Sequence, residues 1–250
     1  MHDIDNDARD QKLVTILHYN DVYNIKPRFC EPVGGFHRFL TKIQSHQDKD
    51  PLILFSGDAL SPSLESMRTH GKHMVMGLNS LGTHCAVLGN HEFDFGLENL
   101  EQLIRISNFP WLLSNITEAG SALPLAGSKT HHILEMNGIK MGLVGLVQDW
   151  LYQQQAVRKL RYQYKDYVEV GKRLAEELKT DGCDIVIALT HMDWREDIRL
   201  AESVPEIDLV LGGHDHQYRV QVVNGKTIVN RVLVSYRGYF GIYGWKASQC

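Results

Sequence analysis

Short apolar runs recur along the chain, at Leu13-Val14-Thr15-Ile16-Leu17, Leu52-Ile53-Leu54-Phe55, Cys85-Ala86-Val87-Leu88, Trp111-Leu112-Leu113, Ile185 to Leu189 and Ile207 to Leu211. Their length and abrupt polar ends predict buried strands. Between them apolar positions repeat at helical spacing: Phe36, Phe39, Leu40 and Ile43, then Met74, Val75, Leu78 and Leu81, with Gly82 as a stop. Leu97 to Ile106 and the set Tyr167, Val170, Leu174 and Leu178 repeat the pattern, and a short helix is predicted at 195–203. From Thr130 the texture changes. Asn137-Gly138 sits between apolar stretches at 132–136 and 139–147, and Asn224-Gly225 between 219–223 and 226–230, both strong hairpin signals. The basic, aromatic stretch Arg158 to Tyr164 reads as a solvated loop with its tyrosines packing down. The β-α alternation with late hairpins predicts an α/β fold of mixed sheets with helices outside. No repeat or linker divides the chain. Residues 1–11 read as a disordered tail, 12–231 as one domain, and the Tyr- and Gly-rich 232–250 as a divergent tail.

Composition narrows the function classes. The 250 residues are 43% hydrophobic and 22% charged, enough for a sizeable core and unlike a disordered chain. A net charge of −4 argues against nonspecific nucleic-acid binding, and no apolar run approaches a membrane span. Cys30, Cys85, Cys183 and Cys250 are scattered with no C-x-x-C pair, so neither a zinc knuckle nor a disulfide framework is predicted. The acidic start, His2 to Asp7, does not read as a signal peptide, and a cytoplasmic location is the expectation. Thirteen His is high for this length and is the first pointer to metals.

The strand ends carry that pointer further. Five apolar runs end in a loop with Asp, Asn or His: Asp21; Asp58; Asn90 with His91; His191; and His214 with His216. Such loops are where α/β proteins place their chemistry. Imidazole and carboxylate donors suit Zn, Mn or Fe. A carboxylate such as Asp58 has two oxygens and can bridge two ions. Two neighbouring ions can clamp a phosphoryl group and hold a hydroxide between them.

The ordered blocks Asp21-Val22-Tyr23, Gly57-Asp58, Gly89-Asn90-His91-Glu92, His191 and Gly213-His214-Asp215-His216 resemble the calcineurin-like metallophosphoesterases. Leu17-His18-Tyr19-Asn20-Asp21, Gly57-Asp58-Ala59, Asn90-His91-Glu92-Phe93-Asp94, Ser114-Asn115-Ile116 and Thr190-His191 look most like the catalytic domain of the 5′-nucleotidases. The resemblance runs from about residue 13 to residue 230. It implies a four-layer α/β/β/α sandwich with a metal site at the strand C-terminal ends. It implies two divalent ions (Zn, Mn, Fe or Mg): Asp21 and His216 on the first, Asn90, His191 and His214 on the second, Asp58 between them. His91 would face the phosphate, with Asp94 behind it setting its tautomer and raising its pKa, and Asn115 would touch substrate. The implied reaction is hydrolysis of a small phosphate ester, a nucleotide by resemblance, through in-line attack of a bridging hydroxide. No nucleic-acid or membrane partner is expected.

Two features depart from the family pattern. Tyr23 stands where the family has a His ligand to the first ion. Three roles are open to it: an unusual ligand, a neighbour of a weak water-filled site, or a packing residue. The 5′-nucleotidases also carry a second domain that supplies most nucleobase contacts, and this sequence, ending at Cys250, does not contain it. Two rival readings follow. One is a phosphoesterase for another small phosphate compound, such as a phosphodiester or sugar phosphate. The other is a metal-weakened, truncated paralogue acting as a binding or regulatory module. Among the remaining histidines, His18 reads as a support behind the ligands or a strand residue rather than a ligand, and His37, His46, His70, His73, His84, His131 and His132 as surface or packing residues. Gly34-Gly35 reads as a tight turn and Arg195 as a solvated helix start.

Overall fold

A computed structural model describes residues 13–29, 33–157, 161–225, 227–231 and 241–246, with backbone alone at 155, 227–231 and 241–246. In chain order it runs β1 (Leu13–Tyr19), α1 (Phe36–Gln44), β2 (Leu52–Phe55), α2 (Ser66–Thr69), α3 (Lys72–Ser80), β3 (Cys85–Val87), α4 (Leu97–Arg105), β4 (Trp111–Leu112), β5 (Ile116–Glu118), β6 (His131–Met136) and β7 (Ile139–Val147). It continues with β8 (Tyr162–Tyr164), α5 (Tyr167–Thr180), β9 (Ile185–His191), α6 (Trp194–Ser203), β10 (Leu209–Gly213), β11 (Arg219–Val223), β12 (Thr227–Arg231) and β13 (Gly241–Lys246).

The strands form two main sheets. The first has the order β13-β1-β2-β3-β4, with β1 to β4 parallel and β13 antiparallel to β1. The second has the order β11-β12-β10-β9-β7-β6, parallel in its centre and closed at each edge by an antiparallel strand. Strand alternation in the second sheet divides the core. Ile185, Ile187 and Leu189 of β9 share a cluster with Leu17, Phe55 and Val87 of the first sheet. Val186 and Ala188 face the other way, onto Val170, Leu174 and Leu178 of α5 and Leu200 of α6. Ile43 of α1, Met74, Val75 and Leu78 of α3, and Leu100 of α4 cover the first sheet. Helix, sheet, sheet and helix therefore stack as expected, because β9 buries both faces and each sheet needs an apolar cover.

Several local expectations gain detail. Both Asn-Gly pairs sit with positive φ at both residues, the twist that a two-residue hairpin demands. Asp166 accepts hydrogen bonds from the Val168 and Glu169 amides, so α5 starts on a capped turn that its apolar spacing alone does not locate. The Arg158–Tyr164 loop needs correction. Tyr162–Tyr164 is a strand, paired antiparallel with β5, while residues 158–160 lie outside the described residues. Tyr162 and Tyr164 do pack on the core, and exposed Gln163 between them has the period of a strand. The run is too short to read alone, and its partner lies far away in sequence. The divergent tail at 232–250 contains a strand. Its 241–246 segment pairs with β1, from Leu13 opposite Lys246 to His18 opposite Gly241. The expected tail at 1–11 and the rest of 232–250 lie outside the described residues. No helix among the described residues is long and apolar enough to cross a membrane.

Candidate active site

Parallel strands bring their C-terminal ends to one edge of each sheet, and the polar loops meet there. Asp21 follows β1, Asp58 follows β2 and Asn90 follows β3, while His191 ends β9 and His214 and His216 follow β10. Backbone contacts lock these loops together. The Asp21 amide donates to the Gly57 carbonyl at 2.9 Å. His191 Nδ1 donates to the Ser56 carbonyl at 2.8 Å, and the Ser56 hydroxyl to the Leu211 carbonyl at 2.7 Å, tying the two sheets. Asp21, Asp58, His214 and His216 all take positive φ, a conformation that side chains other than Gly rarely adopt. Four such residues at one edge mark a place where the fold tolerates strain of on the order of 1 kcal/mol or more each.

The donor atoms converge in two groups. In the group formed by Asp58, Asn90, His191 and His214, Asn90 Oδ1 lies 3.2 Å from His191 Nε2 and 3.1 Å from His214 Nδ1. Asp58 Oδ2 lies 3.2 Å from His191 Nε2. The ligand atoms of Asp58, His191 and His214 all fall within 4.8 Å of one another. In the other group, His216 Nε2 is 3.0 Å from Asp21 Oδ1. Asp21 Oδ2 also accepts from the Asn20 side-chain amide and, at 3.0 Å, from the His214 amide. Asp58 refines an expectation. Only its Oδ2 faces both groups, because Oδ1 accepts the His91 amide at 2.9 Å.

The first group fits a cation on its own chemistry. Since a carbonyl can only accept, His191 Nδ1 carries the hydrogen and Nε2 presents a lone pair. That lone pair faces the Asp58 carboxylate and the Asn90 carbonyl in a buried space, so the arrangement requires a positive charge between them. Without an ion, a proton on Nε2 is what meets that demand. Burial pulls the His191 ring down, but Asp58 and Asp21 overcome this and push it up to about 10. His214, by burial and the neighbouring His191, is pushed down instead. Asp21 is pushed up by burial but held to about 2 by His216, His191 and Asn20. His216 rises through its bond to Asp21.

His91 stands apart from the convergent atoms. Its Nδ1 binds Asp94 Oδ2 at 2.7 Å, leaving Nε2 free of that carboxylate, and its side chain keeps 33% of its surface exposed. Burial lowers its pKa, but the Asp94 bond and the Asp58 charge outweigh this and raise it. The short 3₁₀ turn Asn90–Phe93, with Asp94 at its end, gives the His91–Asp94 pair its spacing.

Tyr23 is the surprise. Its ring is buried, and its hydroxyl lies 3.0 Å from each of Asp21 Oδ1, Asp58 Oδ2 and His216 Nε2. Packing beside the site is therefore not its role. Burial and the two carboxylates push its hydroxyl pKa far up.

Asn115 was expected to touch substrate, and its side chain binds backbone instead. Its amide is spent on backbone, donating to the Val147 and Lys165 carbonyls and accepting from the Val147 amide. It fastens β5 to the end of β7, and no free polar atom remains for a substrate. Its position after a strand gave no way to tell these roles apart. The residue that sequence reasoning missed is Glu92. Its buried carboxylate accepts the amides of Asp58, Ala59, Leu60 and Gly89 at 2.7 to 3.2 Å. One of those bonds is the reach of a third-position Glu back to the start of its turn, half of a capping box, and Gly-x-x-Glu was its visible trace. Burial and Asp58 push its carboxyl up to about 7, against the pull of the amides.

His18 is a strand residue, as read. It is buried on β1 with Nε2 donating to Ser56 Oγ at 2.9 Å. Burial pushes it down to about 3, against the pull of Asp21. The unfolded chain takes up that proton near pH 6.5 and the folded chain does not. Stability is therefore expected to fall as pH drops from 6.5 towards 3, by up to on the order of 5 kcal/mol. His18→Gln should flatten that limb in urea midpoints at pH 7 and pH 4; an unchanged slope would assign acid lability elsewhere. The histidines read as surface or packing residues are exposed or half-buried and take no part in the two donor groups. Gly35 precedes α1 with φ +92, and Arg195 is exposed in the first turn of α6.

Known proteins resemble this chain in sequence and in fold. The family model described as calcineurin-like phosphoesterase matches residues 14–218. A snake venom 5′-nucleotidase from Gloydius brevicauda is 32% identical over 224 residues, 82% of this chain and 37% of that protein. The chain thus spans about two fifths of the length of the curated relatives it matches. The NAD nucleotidase of Haemophilus influenzae superposes with a TM-score of 0.80 over 95% of this chain and 54% of that one, at 24% identity. The calcineurin-like phosphoesterase YfkN of Bacillus subtilis gives 0.79 over 96% and 86%, at 22% identity. With the ordered donor loops, the two stacked sheets and a match over most of its length, the chain belongs to the calcineurin-like phosphoesterase family.

Proposed function

We propose that this chain hydrolyses phosphate esters of nucleotides at the edge where Asp58, Asn90, His91, His191 and His214 meet. The observation that carries this reading is His91. Its Nδ1 is bound to a carboxylate, Asp94, and among the described residues its ring takes no part in the two donor groups. That is the disposition of a group that meets a substrate oxygen and passes it a proton. A divalent ion held by Asp58, Asn90, His191 and His214 would supply Lewis acidity and a water that ionises near neutral pH. Asp94 keeps the hydrogen of His91 Nδ1 in place and favours the protonated ring. Asp58 Oδ1, bound to the His91 amide, sets the ring's position relative to the donor group. The nucleotide part of the reading is supported by relatives named 5′-nucleotidases that match 82% of the chain.

The test is direct. The purified chain, loaded with Mn²⁺ or Zn²⁺, is assayed against nucleoside monophosphates, nucleoside diphosphates, sugar nucleotides and a generic aryl phosphate. Release of phosphate fastest from a nucleotide is expected. His91→Ala should lower kcat by about 100-fold or more, the usual worth of a general acid, with the metal content unchanged. Metal-loaded protein inert to every ester would sink the reading, and a preference for a sugar phosphate would redirect it.

A further inference from the structure

The family resemblance implies two ions, and the two halves of this site do not receive one equally well. Asp58, Asn90, His191 and His214 present lone pairs to a common space. Around Asp21 and His216 that space holds the Tyr23 hydroxyl. It touches, at 3.0 Å each, the three side chains that the resemblance gives to the first ion: Asp21, Asp58 and His216.

Side-chain length explains why. A phenol oxygen reaches about 2 Å further from Cβ than an imidazole Nε2, and about 2 Å is the length of a metal–imidazole bond. A tyrosine on backbone suited to a histidine ligand therefore sets its oxygen near the ion's own position. The ring is not free to swing out. It is 6% exposed and sits edge-on to His91, with ring centroids 5.7 Å apart, and against His216 at 5.5 Å. Three separations of 3.0 Å are also ordinary hydrogen-bond lengths. The phenol can donate to one carboxylate and accept from His216, which satisfies polar atoms that an ion would otherwise hold. Among the described residues, the His, Cys, Asp and Glu group close enough to share an ion is Asp58, His191 and His214, and neither Asp21 nor His216 belongs to it.

We infer that the Tyr23 hydroxyl stands in for the first ion, so that the chain holds a single divalent ion between Asp58, Asn90, His191 and His214. Asp21, Tyr23 and His216 then form a hydrogen-bonded wall beside that ion. Asp58 Oδ2, poised to bridge two ions, instead meets the ion on one side and the phenol on the other. This concerns the same site as the hydrolytic reading, but it is read without substrate.

The experiment counts ions. The full chain is stripped with chelator, reloaded with Mn²⁺, freed of excess metal, and measured by elemental analysis and electron paramagnetic resonance. About one ion per chain with the hyperfine spectrum of an isolated Mn²⁺ is expected, and about two with the spectrum of a coupled pair in Tyr23→His. Tyr23→Phe, which keeps the ring and removes the oxygen, should retain the ion held by His191 and His214 and serves as the folding control. Two ions in the unaltered chain would overturn the inference. So would a visible charge-transfer band on loading Fe³⁺ that vanishes in Tyr23→Phe, since Tyr23 would then be a ligand. A single ion in a folded Tyr23→His would show that the tyrosine is not what closes the first half. One ion with no hydrolysis of any ester leaves this inference standing and defeats the hydrolytic reading, whereas two ions with hydrolysis does the reverse.

Discussion

Glu92→Gln is expected to lower the unfolding free energy by about 2 kcal/mol or more and to weaken metal binding at least tenfold. Glu92 Oε2 accepts the amides of Asp58 and Gly89, and Oε1 accepts those of Ala59 and Leu60. Glutamine keeps the shape but turns one oxygen into a donor, so a pair of buried amides faces N–H instead of an acceptor. A buried amide left unsatisfied costs about 1–3 kcal/mol. One pair belongs to Asp58 itself and to the residue before Asn90, the other to the two residues that follow Asp58, so either orientation of the glutamine disturbs the loop that carries the Asp58 carboxylate. Their relaxation moves ligand atoms, and metal affinity should fall together with stability. Glu101→Gln, at a half-buried position of α4, supplies the comparison and should stay within about 0.5 kcal/mol of the parent. Urea midpoints and Mn²⁺ titration read both quantities. A Glu92→Gln chain with unchanged metal affinity would reduce Glu92 to a helix-start cap with no hold on the site.

Gly89→Ala is expected to lower metal affinity and activity by about 100-fold or more, without any conformational objection to alanine. Gly89 has φ −97 and ψ −177, which any residue adopts. An added Cβ would lie 2.2 Å from Asp58 Oδ1 and 2.8 Å from the Asp58 amide. Both belong to the residue whose carboxylate faces the ion and the phenol. Overpacking of this kind costs about 1–3 kcal/mol even where the surroundings can shift, and here the group that must shift is a ligand. Gly182 is the converse case, with φ +81 and open space around its Cβ position. Gly182→Ala should lose only about 1 kcal/mol of stability and leave metal binding untouched. Equal effects in the two variants would mean that the close approach at Gly89 is not what keeps Asp58 in place.

Most of the architecture was legible because its elements are long or strongly periodic. The helix faces of α1, α3, α4 and α5 and the apolar runs of β2, β7 and β9 follow from burial on one or both sides, a property each residue carries wherever it sits. The Asn-Gly hairpins were legible because positive φ at consecutive positions is a local demand. Strands β5, β8 and β13 were not, since each gains its stability from a partner distant in sequence. A single Tyr-Gln-Tyr or Gly-Ile-Tyr carries too little signal to name that partner. The donor residues at the site were legible for a different reason: each follows the end of an apolar run, and together they stand in the order of the family pattern they resemble.

Residue order is enough to say which side chains come to the sheet edge and which chemistry they can offer. Apolar runs must end, parallel strands end on one side, and the residues at those ends were Asp21, Asp58, Asn90, His191, His214 and His216. What each atom faces depends on how the two sheets pack. That packing spent Asn115 on backbone, gave Glu92 four amides to hold, left one Asp58 oxygen for both donor groups and set the Tyr23 hydroxyl among three of the donors. Those outcomes depend on separations of about 3 Å between residues far apart in sequence, and on which acceptor already has its hydrogen. Neither is written in the residue order, because both arise only when the two sheets are packed against each other.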